Sequence, residues 1–311
     1  MCADTLKSPK TWFLAAKGEA DLTKKQRRTI VAWVALAPVL IWLLVYKYIA
    51  LVWNVVLTFF DRSYTGEMTF VGLEHWMTLA QDPIFPRALF NTIILFGTIP
   101  VGIALALFLA ILLNQEFPGA KVFRSVFFLP YITMMVAIAV IWEYMLHTEL
   151  GVINQILLGI GIISDPISWL GSGNWALFSV FMVHIWKTAG FYIIIILAGL
   201  QTIPEQVYEV SRIDGANQWQ RFRHITLPLL KPTIGVCTLV GVVISFRLFD
   251  LILVMTGGGP GASTEILLTW IYQQSFSNGN FGYGAVLSVV MVILTLIAAY
   301  VGYKLQEASY S

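Results

Sequence analysis

The chain predicts an all-α polytopic membrane protein with about six transmembrane helices, and two observations carry that prediction. Hydrophobic residues make up 58% of the 311 and charged residues only 12%, with a mean hydropathy of +0.78; a soluble domain has roughly a quarter of its residues charged. Six apolar runs are each near the roughly 20 residues that a bilayer-crossing helix needs. They lie at Thr29–Phe60, Phe90–Asn114, Phe123–Met145, Trp175–Leu200, Pro232–Thr256 and Gly282–Lys304. The expected solvent is a lipid bilayer, and a net charge of +2 gives no support for a nucleic-acid partner.

These runs set the expected organisation. Residues 1–28 are a basic tail, 29–60 the first transmembrane helix, 61–89 a loop, and 90–311 a five-helix core with a polar loop at 201–231. The first run exceeds what a bilayer needs, so it tilts or extends past the membrane. It is not a cleaved signal, because its apolar stretch is too long and a basic segment precedes it. The tail, with Trp12, Phe13 and Leu14 among lysines, reads either as a short amphipathic helix along the headgroups or as an unstructured basic arm. In the 61–89 loop Phe70, Trp76 and Phe85 point to a short interfacial element. Cys2 and Cys237 stand too far apart in the sequence to imply a disulfide framework.

Lys and Arg set the orientation. Lys7, Lys10, Lys17, Lys24, Lys25, Arg27 and Arg28 precede the first run. Lys121 and Arg124 sit in the second connection, and Arg212, Arg221, Arg223 and Lys231 in the fourth, while Lys304 closes the last run. The opposite side holds only Arg62 and Arg87. By the positive-inside rule both termini and the 201–231 loop are cytoplasmic.

That loop has helical grammar. Pro204 fits a helix start with Glu205 in the first turn, and Val207, Val210, Ile213 and Ala216 recur at helical spacing. Glu209, Arg212 and Asp214 face elsewhere. Gly215 permits a turn that a side chain would obstruct, and a second short helix around Gln218–His224 ends before Pro228. A helix–Gly–helix elbow along the inner surface is the simplest reading.

The segment Ile203-Pro-Glu-Gln-Val-Tyr-Glu-Val-Ser-Arg-Ile-Asp-Gly-Ala216, continued by Trp219-Gln, Phe222 and Ile225-Thr-Leu-Pro228, resembles the EAA loop of binding-protein-dependent ABC importer permeases. Within them it is most similar to the sugar branch that includes maltose and glycerol-3-phosphate permeases. Phe249-Asp-Leu-Ile-Leu-Val-Met-Thr-Gly-Gly-Gly-Pro260, Phe123-Arg-Ser-Val-Phe-Phe-Leu-Pro130 and Phe70-Val-Gly-Leu-Glu74 match the same branch. Val210 and Ser211 depart from it, since two alanines are common there. The resemblance implies a type I ABC importer permease fold with the elbow as the coupling helix, seated in a groove of an ATPase subunit. Carried over, Glu209 is the coupling acid, with Val210, Ser211, Asp214 and Ala216 beside it; Gly215 is the turn, and Leu227 and Pro228 are the return to the membrane. It also implies a second permease, two ABC ATPase subunits using ATP and Mg, and an external solute-binding protein, all in a prokaryotic cytoplasmic membrane.

Charges inside spans are costly and usually face an interior. Lys187 lies near the middle of the fourth run, and Arg247 and Asp250 lie three apart on the fifth. They read either as a structural ion-pair network or as part of a substrate pathway. The resemblance adds Thr188, Phe191, Gly241, Ser245 and Leu248 as cavity-facing positions. Hydroxyls beside an aromatic ring suit a sugar, while the local positive charge also permits a glycerol phosphate. Lys47 is within snorkelling reach of an interface.

Catalysis finds no residues. No Gly-x-x-x-x-Gly-Lys-Ser/Thr sequence is present, and Gly257-Gly-Gly-Pro-Gly261 reads as a turn. The four histidines have neither metal nor dyad spacing, so no catalytic residue, metal ligand or bound cofactor is expected. The expectation is a permease subunit of an ABC importer for a sugar or oligosaccharide. The alternatives are a permease for glycerol-3-phosphate or another polar solute, a stand-alone secondary transporter, which would carry repeats with broken helices, and an intramembrane enzyme.

Overall fold

The places where apolar runs break set the element order. The computed structural model describes residues 9–62, 66–115, 117–245 and 248–307, apart from the side chains of 9–22, 25 and 305–307. The chain divides into two units, Met1–Val56 and Leu57–Ser311. The first unit is helical from Pro9 onward: α1 (Pro9–Leu43), a π turn (Leu44–Ile49) and α2 (Ala50–Leu57). At 1.5 Å per residue this is about 70 Å of helix, more than twice a hydrocarbon core of about 30 Å. The helix therefore continues past the membrane. Within its apolar part, Gln26–Leu57, the most apolar 18-residue window has a mean hydropathy of 2.3. The expected apolar face of Trp12, Phe13 and Leu14 falls on side chains outside the described set.

In the second unit β1 (Phe60–Arg62) pairs antiparallel with β2 (Met68–Phe70), and α3 (Glu74–Gln81) follows. The loop expected to hold one interfacial element thus holds a hairpin and a helix. The Phe60 and Phe70 rings meet edge-on across the hairpin. Next, α4 (Phe85–Phe96) and α5 (Thr98–Leu113) make the second span.

The third apolar run, expected as one helix, is two. α6 (Ala120–Ile132) and α7 (Met135–Met145) are bent by 99° at the break between them. Pro130 lacks the N–H that a continuing helix would use, and Thr133 and Met134 take extended ψ values of 145° and 137°. The break leaves carbonyls without helical partners, and Lys187 answers them from the neighbouring span. Its Nζ donates to the carbonyls of Thr133 at 2.7 Å, Pro130 at 3.0 Å and Tyr131 at 3.4 Å. An ammonium has three donors, and the C-terminal end of a helix dipole is negative.

Beyond the break, α8 (Val152–Gly159) carries Asn154, which is buried. Its Nδ2 donates to the carbonyls of Thr148 and Ile167, and its Oδ1 accepts from the Ile167 N–H and the Trp169 indole. Then come α9 (Gly173–Gln201), α10 (Glu205–Ile213), α11 (Gln218–Arg221), a π turn (Phe222–Thr226) and α12 (Leu227–Ser245).

The fifth run is also corrected. The span begins at Gln218 rather than at Pro232 and is described to Ser245; after residues 246–247, which lie outside the described set, Phe249–Met255 forms α13. Apolar composition alone cannot tell a span from a helix that packs on α7 in the second apolar cluster. After α14 (Leu267–Tyr272) and a π turn (Gln273–Ser277), α15 (Phe281–Glu307) supplies the last span.

The central core packs α5 against α9 and α12, with Ile99, Ile103, Tyr192, Ile196 and Leu230 buried. Small residues let backbones approach, as membrane helices require in the absence of a hydrophobic drive between them. A Cβ on Gly190 would stand 2.1 Å from the Phe127 carbonyl oxygen, so α6 lies directly on the α9 backbone.

Substituting Lys187 by Met leaves three carbonyls unanswered and is expected to cost roughly 2–5 kcal/mol. The effect should appear as a lower melting temperature of the detergent-solubilised protein, with Lys187→Arg losing less. Gly190→Val should likewise destabilise by forcing α6 away from α9, read in the same melting experiment.

Candidate functional site

The loop between α9 and α12 is an elbow built by backbone rules. Gly215 has φ +76°; its N–H reaches the Arg212 carbonyl at 3.1 Å, and the Ala216 N–H reaches that of Ser211 at 2.9 Å. This paired arrangement closes a helix on a left-handed residue. Asn217 then opens α11 with a reciprocal cap: its side chain accepts from the Gln220 N–H, and the Gln220 side chain accepts from the Asn217 N–H, both at 2.8 Å.

α10 turns one face to the body. Ser211 is buried and its Oγ donates to the Tyr208 carbonyl at 2.7 Å, while the Tyr208 hydroxyl meets Thr226 Oγ1 at 3.1 Å. The other face is free: Val210 is 57% exposed, Ile213 85% and Trp219, on α11, 64%. Glu209, Arg212 and Asp214 are exposed beside this ridge, Ala216 is half-buried, and Glu209 has no partner among the described residues. A cavity of about 280 Å³ behind the elbow, bordered by Asn114, Leu200, Tyr208, Arg221 and Thr226, separates part of it from the core.

The expected stop before Pro228 does not occur. The Leu227 N–H bonds back to the Phe222 carbonyl, and this wide turn carries the helix through Leu227 and Pro228 into α12. A π turn relieves the clash that a proline ring makes with the preceding turn.

The expected pathway residues are not gathered around one cavity. Lys187 is spent on the break in the third span rather than on an ion pair with Asp250, which is exposed; Arg247 lies outside the described residues. The Thr188 hydroxyl donates to the His184 carbonyl at 2.8 Å and that of Ser245 to Gly241 at 2.9 Å, so both are satisfied within their own helices. Gly241 is buried where a Cβ would meet the Tyr192 hydroxyl at 2.7 Å. Leu248 is buried, and Phe191 stacks on Tyr131 with centroids 4.8 Å apart.

Ser245 and Leu248 border a cavity of about 10 Å³, too small for a sugar. A cavity of about 730 Å³ is walled by residues such as Val101, Leu105, Phe127, Phe178 and Trp186, with Thr133 the one hydroxyl in its lining. It offers a polar solute almost no partners. Among the described residues no group of three or more His, Cys, Asp or Glu is placed to hold a metal ion.

Elbow, broken span and helix order together are tested by comparison. A family model for the "Binding-protein-dependent transport system inner membrane component" matches residues 99–310. The chain belongs to this family. It is an ABC transporter permease, and its relatives are transport proteins rather than enzymes. A probable ABC transporter permease protein of Pyrococcus horikoshii is 36% identical over 88% of this chain and 95% of its own length. The sulfoquinovosyl glycerol transport system permease protein of Agrobacterium fabrum is 38% identical over 77% of this chain and 78% of its own. The trehalose/maltose permease protein of Thermococcus litoralis is 34% identical over 76% and 79%.

Among solved structures, a chain of a bacterial ABC transporter that imports the acidic polysaccharide alginate superposes with a TM-score of 0.79 at 25% identity. The match covers 93% of this permease and 99% of that chain. The alginate transporter has also been solved with its alginate pentasaccharide-bound periplasmic protein, and that match has a TM-score of 0.78.

Reading the sequence alone missed three features of the permease. The Tyr208–Thr226 contact that holds the elbow spans eighteen positions and has no local signature. The role of Lys187 as a cap had one available signal, Pro130 inside an apolar run. Glu143, an exposed carboxylate on α7, was legible as a charge in the third run.

Gly215→Val forces a branched side chain into left-handed backbone and should strain the elbow by about 1–2 kcal/mol. Limited trypsin digestion is expected to cut faster at Arg212 and Arg221 in that variant, with the melting temperature of the membrane core unchanged.

Proposed function

We propose that this permease carries a sugar or oligosaccharide, delivered by an external solute-binding protein, through a cavity shared with a second, related permease. The relatives' names support the substrate class, since several are permeases for glycosides or oligosaccharides. The periplasmic protein in the alginate complex supports the delivery step. Among the described residues the two cavities between the spans offer a polar solute almost no partners, which is what a path between two subunits would leave.

The same reading gives the elbow its job. One of two ATPase subunits, which bind ATP and Mg, docks on the exposed ridge of Val210 and Ile213, and Glu209 meets a basic residue in its groove. Val210, with Asp214 and Ala216, sets how closely the elbow seats, Ser211 is buried against the body on the other side of α10 and so takes no part in that contact, and Gly215 fixes its turn. ATP binding draws the ATPases together; the elbow moves with them and passes the motion through Leu227 and Pro228 into α12, because the helix there is unbroken. The elbow then faces the cytoplasm, as do both termini, in agreement with the excess of Lys and Arg on that side. Its exposed ridge is the observation that carries this assignment: an apolar face outside the bilayer with no cover of its own marks a contact surface.

Glu209→Lys is expected to reduce solute uptake by reconstituted vesicles more than tenfold while the helices melt normally. Wild-type uptake and ATPase activity in that variant would remove Glu209 from the coupling contact.

A further inference from the structure

A polar cavity of about 470 Å³ lies at the opposite end of the spans from the elbow, where β1, α3, the π turn Gln273–Ser277 and the start of α15 converge. Its floor is fixed by Asp82. One carboxylate oxygen of Asp82 accepts from the Ile84 N–H at 2.8 Å, and the other accepts from the Trp270 indole at 2.8 Å and from the Tyr283 hydroxyl. Asp82 is therefore fully occupied, a brace rather than a binding group.

The walls are different. Asp61 and Glu74 are exposed, line the cavity, and have no side-chain partner among the described residues. Gln274 is only 8% exposed and lines the same space. Its Oε1 accepts from Asn280 at 3.1 Å, and its Nε2 has no acceptor among the described residues. This amide is a free donor on the cavity wall. Carboxylates alone would suit a cation, but an amide donor aimed into the same space would not. Donors and acceptors side by side match hydroxyl groups, each of which gives one hydrogen bond and takes others. The volume lies in the range of small-molecule sites, and no Lys or Arg lines it.

We infer that this cavity is a binding site for a neutral saccharide unit, a station at the external mouth of the permease. Asp61 and Glu74 accept from sugar hydroxyls there, and Gln274 donates. Anionic sugars are disfavoured by the two free carboxylates. The inference rests on the sugar-importer reading, whose failure is separately measurable.

The test uses the full importer in nanodiscs with Gln81→Cys, a cavity-lining exposed position, as a maleimide target, in a Cys2→Ser background. Maltose, trehalose, lactose and an acidic uronate disaccharide are the probes. At least one neutral disaccharide is expected to slow labelling, the uronate is not, and Glu74→Gln or Gln274→Leu should weaken that protection roughly tenfold. Protection by none of the neutral sugars overturns the site, as does protection surviving both substitutions. Protection by sugar-free solute-binding protein alone also overturns it, in favour of a basic side chain of that protein. Uptake of the same sugars, measured in parallel with wild-type protein, reports on the importer reading independently.

Discussion

One ammonium group holds the membrane core in its bent form. Lys187 reaches across from α9 to three carbonyls at the end of α6, and without it the break would place orphan polar groups at membrane depth, where no water answers them. The bend allows α7 to leave the direction of α6 and pack with α13, around Ile138, Ala139, Leu248 and Leu251. A charge that looked like a solute contact is thus a backbone cap. Its burial at 6% exposure agrees with that role, since a buried cation must be matched by acceptors.

The elbow follows the opposite logic. Its backbone is closed by its own rules, a left-handed glycine and a reciprocal Asn–Gln cap, and needs little from the core to hold its shape. It is tied to the membrane part by the short connection from α9, where Ile203 packs on the core, by the Tyr208–Thr226 pair and by the continuous helix through Pro228. A small rigid piece on a stiff connection, with a cavity behind it, is suited to move as a unit. The apolar ridge stays uncovered because the core-facing side of α10 is filled by Tyr208 and Ser211 instead.

Fold class and span count were legible because a bilayer imposes a length on any apolar helix. The elbow was legible for a similar reason: Gly215 and the 3.6-residue spacing of Val207, Val210 and Ile213 are local signals. Two span boundaries were not. Hydropathy counts apolar residues and is blind to a missing N–H, so Pro130 went unweighted, and a helix that packs on a neighbour looked like the end of the fifth span.

By itself the sequence determined that the chain is helical and membrane-embedded, where its elbow lies, and which motif that elbow resembles, because these depend on composition and near-neighbour spacing. Tertiary structure alone decided what the polar groups packed in and around the core do. Thr188 and Ser245 turn their hydroxyls to their own helices, Lys187 to another, and Asp82 gathers Trp270 and Tyr283 from far along the chain. Each outcome depends on which partner comes within about 3 Å, a distance that no linear pattern encodes.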